Sequence, residues 1–324
     1  MSSAIKILII GAGQIGSRHL QGALKSIHKL SITIVDPSLD SLKLSEIRTQ
    51  DIAYGHLHST VVYTQELPKN KNFDICIIST NANVRAKVTQ DLLIDCHIKH
   101  IIFEKVLFQK VLDFEIISKL IKEKDITAWV NCPRRTFLVY REIKKTLNTN
   151  NPIQMLVSGA SWGMACNAIH FIDLFSYLVG SSDLTVIKKN FSKNIFKSKR
   201  GENFYEINGS IEFRAGVHFL KISCKDSKNS YLHVKIKNNS IDHSVNEFKD
   251  ICKSNINSIT KIKHCNMPYQ SSQTGILIDN LIDKNQCELV LYQESWKHHI
   301  PLLSAIRTHL SKIMKKQLIE CPIT

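Results

Sequence analysis

The chain has 324 residues, 43% hydrophobic and 22% charged, and its 43 Lys and Arg against 28 Asp and Glu give a formal net charge of +15. This length suits two domains, each with its own core, and the longest apolar runs are strand-sized, which argues against a membrane-spanning helix. The lysines are spread along the chain rather than gathered into a stripe, which speaks against nucleic acid and leaves an anionic small molecule open. Met-Ser-Ser-Ala leads directly into the first apolar run, leaving no room for a signal peptide. The nine cysteines stand singly with no C-x-x-C pair and read as reduced thiols, so a cytoplasmic location is expected.

Ile5 to Ile10 is an apolar, β-branched run that stops at Gly11-Ala12-Gly13-Gln14-Ile15-Gly16 and passes into a helical pattern from Gln14 to about His28. Strand, G-x-G-x-x-G and helix in that order predict a dinucleotide-binding turn. Gly11 permits the tight turn, Gly13 lets the backbone approach a pyrophosphate, and Gly16 lets the helix pack closely on its strand. The backbone N–H groups that open the helix at Gln14 and Ile15 then hold the anion at the positive end of the helix dipole.

A second alternating strand, Ile32 to Val35, ends on Asp36, twenty residues past Gly16. A carboxylate there accepts both hydroxyls of an adenosine ribose and repels a 2′-phosphate, which argues for NAD over NADP. NADP is not excluded, because Lys43 is placed to meet a phosphate. A helix cap at Asp36, with Pro37 in the first helical position, is the alternative reading and is compatible with the first.

A short helix from Leu39 to about Arg48, a weak strand Thr60 to Tyr63 and a buried strand Phe73 to Ile78 follow, the last ending in Ser79-Thr80-Asn81 before a helix from Val84 to Ile94. Polar residues at the carboxyl end of a parallel strand sit in the crevice where ligands bind, so Ser79, Thr80 and Asn81 are candidate cofactor contacts; a helix cap at Thr80 or Asn81 is the alternative. The strand His100 to Phe103 ends in Glu104-Lys105, an amphipathic helix spans Lys110 to Lys124, and a strand Ile126 to Val130 leads into Asn131-Cys132-Pro133-Arg134-Arg135. Six strands alternating with helices predict an α/β, doubly wound parallel sheet that closes near residue 130.

Beyond it the pattern changes to helix Leu138 to Leu147, strand Ile153 to Trp162, helix Asn167 to Val179 closed by Gly180, and then successive strands Leu184–Phe191, Tyr205–Phe213, Val217–Cys224, Tyr231–Lys237 and Ser240–Ser244. Sequential strands predict an open, mainly antiparallel sheet in a second α/β domain. Helical patterns at Gln270 to Asp283 and Tyr292 to Ile313 finish the chain. The expected division is 1–130 and 131–324.

Three places carry candidate chemistry. Lys105, at a strand end, can stabilise an alkoxide as hydride leaves a hydroxyl carbon. Asn167, His170 and Asp173 share one helix face, with His170 the natural proton acceptor and a core histidine bonded to Asp173 the alternative. Arg134 and Arg135 suit a carboxylate or phosphate, solvated surface arginines being the alternative. His97, His100, His298 and His299 lack further ligands at metal-site spacing and read as surface or loop residues, so no metal is expected.

Together these motifs resemble the Gfo/Idh/MocA oxidoreductases: the glycine turn, Asp36, Ser79-Thr80-Asn81, Glu104-Lys105 and a His-x-x-Asp helix opening the second domain, in order along nearly the whole chain. The resemblance implies NAD or NADP chemistry on a hydroxyl or ketone of a sugar, cyclitol or sugar nucleotide. It implies Lys105 as the residue binding the reacting oxygen and His170 as the proton-transfer residue. Glu104 joins the cofactor residues, and Trp162, Asn167, Asp173, Arg134 and Arg135 join Lys105 and His170 on the substrate side. It further implies a homo-oligomer, dimer or tetramer, formed through the C-terminal sheet. Two positions depart from the family pattern: Val106 stands where the family has Pro, and Cys166 and Ala168 stand where it has the Asp and Gly of Asp-x-Gly-x-His. A thiol does not replace a carboxylate as acceptor and charge partner. The leading expectation is an NAD-dependent oxidoreductase acting on an anionic or nucleotide-activated sugar of surface-glycan synthesis. A redox-neutral epimerase or glycosidase with tightly held NAD, and an inactive NAD- or sugar-sensing regulator, are the alternatives.

Overall fold

A computed structural model describes residues 4–50 and 52–324, so Met1–Ser3 ahead of the first strand lie outside the described residues. In chain order the elements are β1 (Ile5–Ile10), α1 (Gln14–Ala23), β2 (Leu30–Val35), α2 (Leu39–Ile47), β3 (Thr60–Thr64), β4 (Asn72–Ile78), α3 (Ala82–Asp95), β5 (His97–Phe103), α4 (Val111–Glu123) and β6 (Thr127–Val130). A short 3₁₀ turn (Pro133–Thr136) precedes α5 (Leu138–Thr146), β7 (Gln154–Ala160), α6 (Met164–Val179), β8 (Thr185–Ser198), β9 (Gly201–Ala215), β10 (His218–Lys225), β11 (Tyr231–Asn238), β12 (Ile241–Asn246), β13 (Ile251–Ile256), β14 (Ile259–His264), α7 (Gln270–Lys284), β15 (Val290–Leu291) and α8 (Tyr292–Met314).

These elements form two compact units. The first carries a seven-stranded sheet in the order β15-β6-β5-β4-β1-β2-β3, parallel throughout except for β15, which runs antiparallel to β6. Strand order reverses at β1, so the crevice beyond the carboxyl ends of β1 and β4 is the ligand position in such a sheet. Ile7 to Ile10 are at most 3% exposed, as expected of a strand covered on both faces.

The boundary expected at residue 130 is corrected by the return of the chain: Pro268–Tyr292 belongs to the first unit. The apolar stripe of α7, Leu277, Ile278 and Leu281, is buried in the same cluster as Leu20 and Ala23 of α1. Burial of three such side chains is worth about 1.5–3 kcal/mol each, and β15 adds an edge strand. Nothing local in the sequence tells which of two cores an amphipathic helix will cover.

The second unit is built on an eight-stranded sheet in the order β14-β13-β12-β11-β7-β10-β9-β8. All its pairs are antiparallel except β7 with β10. α6 packs on β9 and β10, its Ile169, Phe171, Phe175 and Leu178 are all 0% exposed, and it ends at Gly180 with φ +74°. No described helix is long and apolar enough to cross a membrane.

Candidate active site

The cofactor half is built in the first unit from backbone geometry. Gly11 has φ +96°, and a Cβ on Gly16 would stand 1.7 Å from the Gly11 carbonyl oxygen, so neither position accepts a side chain. A Cβ on Gly13 would meet nothing within 4 Å; this open face at the N-terminus of α1 is where a pyrophosphate would lie. Asp36 accepts the Ala12 N–H through Oδ2 at 2.7 Å and the Ser38 N–H through Oδ1 at 2.9 Å, which ties the carboxylate to the glycine turn. The N-cap of α2 is Ser38, whose hydroxyl accepts the Ser41 N–H at 3.2 Å, so Asp36 is not the cap. Gln14 is turned to Arg48, which donates to its Oε1 at 2.7 Å, and Ile15 is 39% exposed beside the turn.

Ser79 donates from its hydroxyl toward the carbonyls of Ile10 and Gly11, both at 2.9 Å, and so pins the turn to the end of β4. Asn81 is the N-cap of α3 but makes no side-chain capping bond. Thr80 Oγ1 is buried with no protein partner. A buried hydroxyl of this kind calls for a ligand or a water, and together with the open Gly13 face and the anchored Asp36 it makes the residues fit an NAD molecule.

Glu104 and Lys105 follow β5 and are each 6% exposed. The Glu104 carboxylate meets His19 Nε2 at 3.0 Å, the Asn131 side-chain amide and the Lys105 N–H at 3.3 Å. Burial pushes this carboxyl up, but the hydrogen bonds and charges of His19, Lys105 and Asn131 outweigh it and hold it below the ordinary glutamate range. Its role is therefore internal: His19 Nδ1 meets Thr274 at 3.0 Å, linking α1, the β5 end and α7. The loop beyond is held by Arg85, 1% exposed, which donates to the carbonyls of Thr80, Val106 and Leu107. The Lys105–Val106 peptide bond is cis. Sequence reasoning missed His19, Arg85 and Thr274, which carry no motif.

The residues expected on the substrate side, Lys105 apart, lie in the second unit. Asp173, 0% exposed, is gripped by Arg135 through Nε at 3.0 Å and Nη2 at 2.8 Å, with His298 Nδ1 at 3.7 Å. Burial pushes its carboxyl up to about 6, against the opposing charge of Arg135. Arg134 grips Glu247 in the same way, at 2.8 and 2.7 Å, while the Tyr140 hydroxyl donates to Glu247 at 2.7 Å. Both arginines thus spend their forked donors on internal carboxylates. His298 and His299 are 0% exposed and His100 6%, so these are core rather than surface histidines. Among the described residues no group of three or more His, Cys, Asp or Glu is arranged to hold a metal.

His170 is half-buried on α6, one turn after Cys166 and Asn167. Asn167 donates to the Trp162 carbonyl at 2.9 Å, and Trp162 is fixed by its indole N–H to the Ser223 carbonyl at 3.2 Å and by an edge contact with Phe171. Trp162, Cys166, Asn167, Arg200 and Glu206 line a cavity of about 460 Å³ in this unit. Glu206, from β9, brings a carboxylate to the position where Cys166 lacks one: it accepts the Ala165 N–H at 2.8 Å and hydrogen bonds from Cys166. Burial pushes its carboxyl up, partly offset by those bonds. A lone Glu in an alternating strand gave no signal in the sequence.

Residues 5–132 match the family model described as oxidoreductase family, NAD-binding Rossmann fold, of the Gfo/Idh/MocA group. No curated protein sequence matches the chain. Among solved structures, a dehydrogenase of Clostridium difficile is 15% identical with a TM-score of 0.69, the match covering 94% of this chain and 100% of that one. The UDP-N-acetylglucosamine 3-dehydrogenase of Acidithiobacillus ferrooxidans is 11% identical at 0.66, covering 98% and 99%. A super-repressor mutant of Gal80p from Saccharomyces cerevisiae is 13% identical at 0.68, covering 98% and 97%.

Proposed function

We propose, on the premise that residues 5–132 belong to the NAD-binding Rossmann domain of the Gfo/Idh/MocA oxidoreductase family, that the chain is an NAD-dependent sugar dehydrogenase or ketoreductase. The observation that carries the nicotinamide part is the glycine turn with Asp36 hydrogen-bonded to Ala12 and the partnerless Thr80 hydroxyl at the end of β4. The sugar part is supported by the mixed aromatic and polar cavity of the second unit and by the name of the Acidithiobacillus fold neighbour, a nucleotide-sugar dehydrogenase.

In this reading bound NAD supplies the acceptor or donor of hydride. The Lys105 ammonium binds the reacting oxygen and stabilises its negative charge as the carbon–oxygen double bond forms. His170 takes the hydroxyl proton in oxidation and returns it in reduction. The substrate is a nucleotide-activated or acidic sugar. A second reading, a sugar-sensing regulator that retains the fold, is favoured by the thiol at Cys166 and by the repressor among the fold neighbours.

The test begins with NAD⁺ and NADP⁺ titrations by calorimetry, then exposes the NAD⁺-loaded protein to hexoses, hexuronates and UDP-hexoses while absorbance at the nicotinamide band is followed. Turnover of one sugar class, abolished in Lys105→Ala and His170→Ala with NAD⁺ affinity unchanged, is the expected result. Full activity in either variant refutes the assigned roles. NAD retained through purification, with a product formed and no net absorbance change, identifies the redox-neutral alternative. Sugar binding without turnover identifies the regulator.

A further inference from the structure

At the N-terminus of α6 the chain passes through Gly163 with φ +71°. A Cβ placed there would lie 3.2 Å from Glu206 Oε1, 3.2 Å from Asn167 Nδ2 and 3.4 Å from Cys166 Sγ. A carboxylate from β9 and a carboxamide and a thiol from α6 thus pack closely over the Gly163 backbone, which brings the three groups together. All three residues line the cavity of about 460 Å³, with the fixed Trp162 among its walls.

We propose that Glu206 is the substrate-recognising carboxylate of this cavity, accepting a hydrogen bond from a sugar hydroxyl bound in it. This assignment rests on the sugar reading above and narrows it to a polyhydroxylated ring bound by this face. An ionised carboxylate only accepts, an amide both donates and accepts, and a hydroxyl does both. A carboxylate beside an amide is thus matched to neighbouring hydroxyls of one ring. An indole edge supplies apolar surface for the C–H face of such a ring. The second argument is burial. Glu206 is half-buried and its carboxyl is pushed up by that burial. Its protein donors, the Ala165 N–H and Cys166, approach from the α6 side. Held to α6 on one side by these donors, the carboxylate is fixed in the cavity wall.

The competing role is a cross-strand cap for α6, and Glu206→Gln separates the two because the amide oxygen still accepts the Ala165 N–H. The probes are UDP-N-acetylglucosamine, N-acetylglucosamine and glucuronate, titrated by calorimetry into the NAD⁺-saturated full chain. The best-bound probe is expected to lose roughly ten- to a hundredfold in affinity in Glu206→Gln, the loss typical of a charged hydrogen bond, while NAD⁺ affinity changes less than about twofold. In the double variant Glu206→Gln with Cys166→Asp, a carboxylate is returned to the same cavity wall from α6 and restores binding to within roughly threefold of the wild type. Unchanged sugar affinity in Glu206→Gln overturns the proposal, as does failure of all three probes to bind the wild type at millimolar concentration. Should Glu206→Gln fail to fold, the wild type itself carries the test: saturating sugar is expected to shift the amide resonances of Ala165 and Cys166, and unmoved resonances overturn the assignment. Calorimetry reads binding without turnover, so a chain that binds sugar through Glu206 but transfers no hydride refutes the dehydrogenase and keeps this inference.

Discussion

Replacing Asp173 with Asn gives a prediction with a definite sign. Asp173 is 0% exposed and its carboxyl is pushed up to about 6 from an ordinary value of 3.8. An acid with a raised folded value binds its proton more tightly in the folded state, so it contributes stability at low pH. That contribution fades as pH rises through about 6. From these two values, acidification from about pH 7.5 to 5 should add roughly 1.4 kcal/mol through this group. In Asp173→Asn the term vanishes, so the stability difference between wild type and variant should grow by that amount over the same interval. His298, held neutral by burial with its value lowered to about 3, acts in the opposite direction, losing stability on acidification; it is present in both proteins and largely cancels. The assay is urea unfolding at several pH values in a Trp129→Phe background, where Trp162 and Trp296 report on the second unit alone. A difference that is flat with pH, or that shrinks on acidification, refutes the reasoning.

His298→Leu, which removes the buried imidazole, should flatten the acid side of the wild-type stability curve, read by the same unfolding series. Gly16→Ala forces a Cβ onto the Gly11 carbonyl oxygen, 1.7 Å away, and should lower NAD⁺ affinity by at least about a hundredfold, as measured by calorimetry. Asp36→Ala removes the carboxylate proposed to meet the ribose and should cost roughly ten- to a hundredfold in NAD⁺ affinity while improving NADP⁺ relative to it. Arg134→Met leaves the Glu247 carboxylate without its forked partner and should cost about 3–5 kcal/mol of stability, a loss visible in unfolding rather than in the Michaelis constant of an anionic sugar.

The first unit was legible because its strands are covered on both faces and read as continuous apolar runs ended by ligand-binding turns. Ile5 to Ile10 and Phe73 to Ile78 announce both their structure and the crevice beyond them. The second sheet was legible only in part. β14, Ile259–His264, is exposed at every position and so has no alternation to read; β13 beside it was missed for a related reason, with one buried residue, Cys252. Helix α1 ends at Ala23 rather than near His28, because Leu24 already serves as its C-cap. Charge partners are the least legible feature. Arg134 and Arg135 look like a clamp in sequence, and their carboxylates lie 113 and 38 residues away. Glu206 is found only by seeing which strand passes the N-terminus of α6.

The return of Pro268–Tyr292 to the first unit has a consequence for the order of synthesis. The α7 stripe covers Leu20 and Ala23 of the phosphate-binding helix, and Thr274 completes the bond pattern of His19. A ribosome has made the whole second sheet before it reaches α7. Until then the nascent first unit displays an uncovered apolar face, and its core closes only once Pro268–Tyr292 has been translated. The nucleotide-binding part of this chain, first in sequence, is thus among the last to be completed.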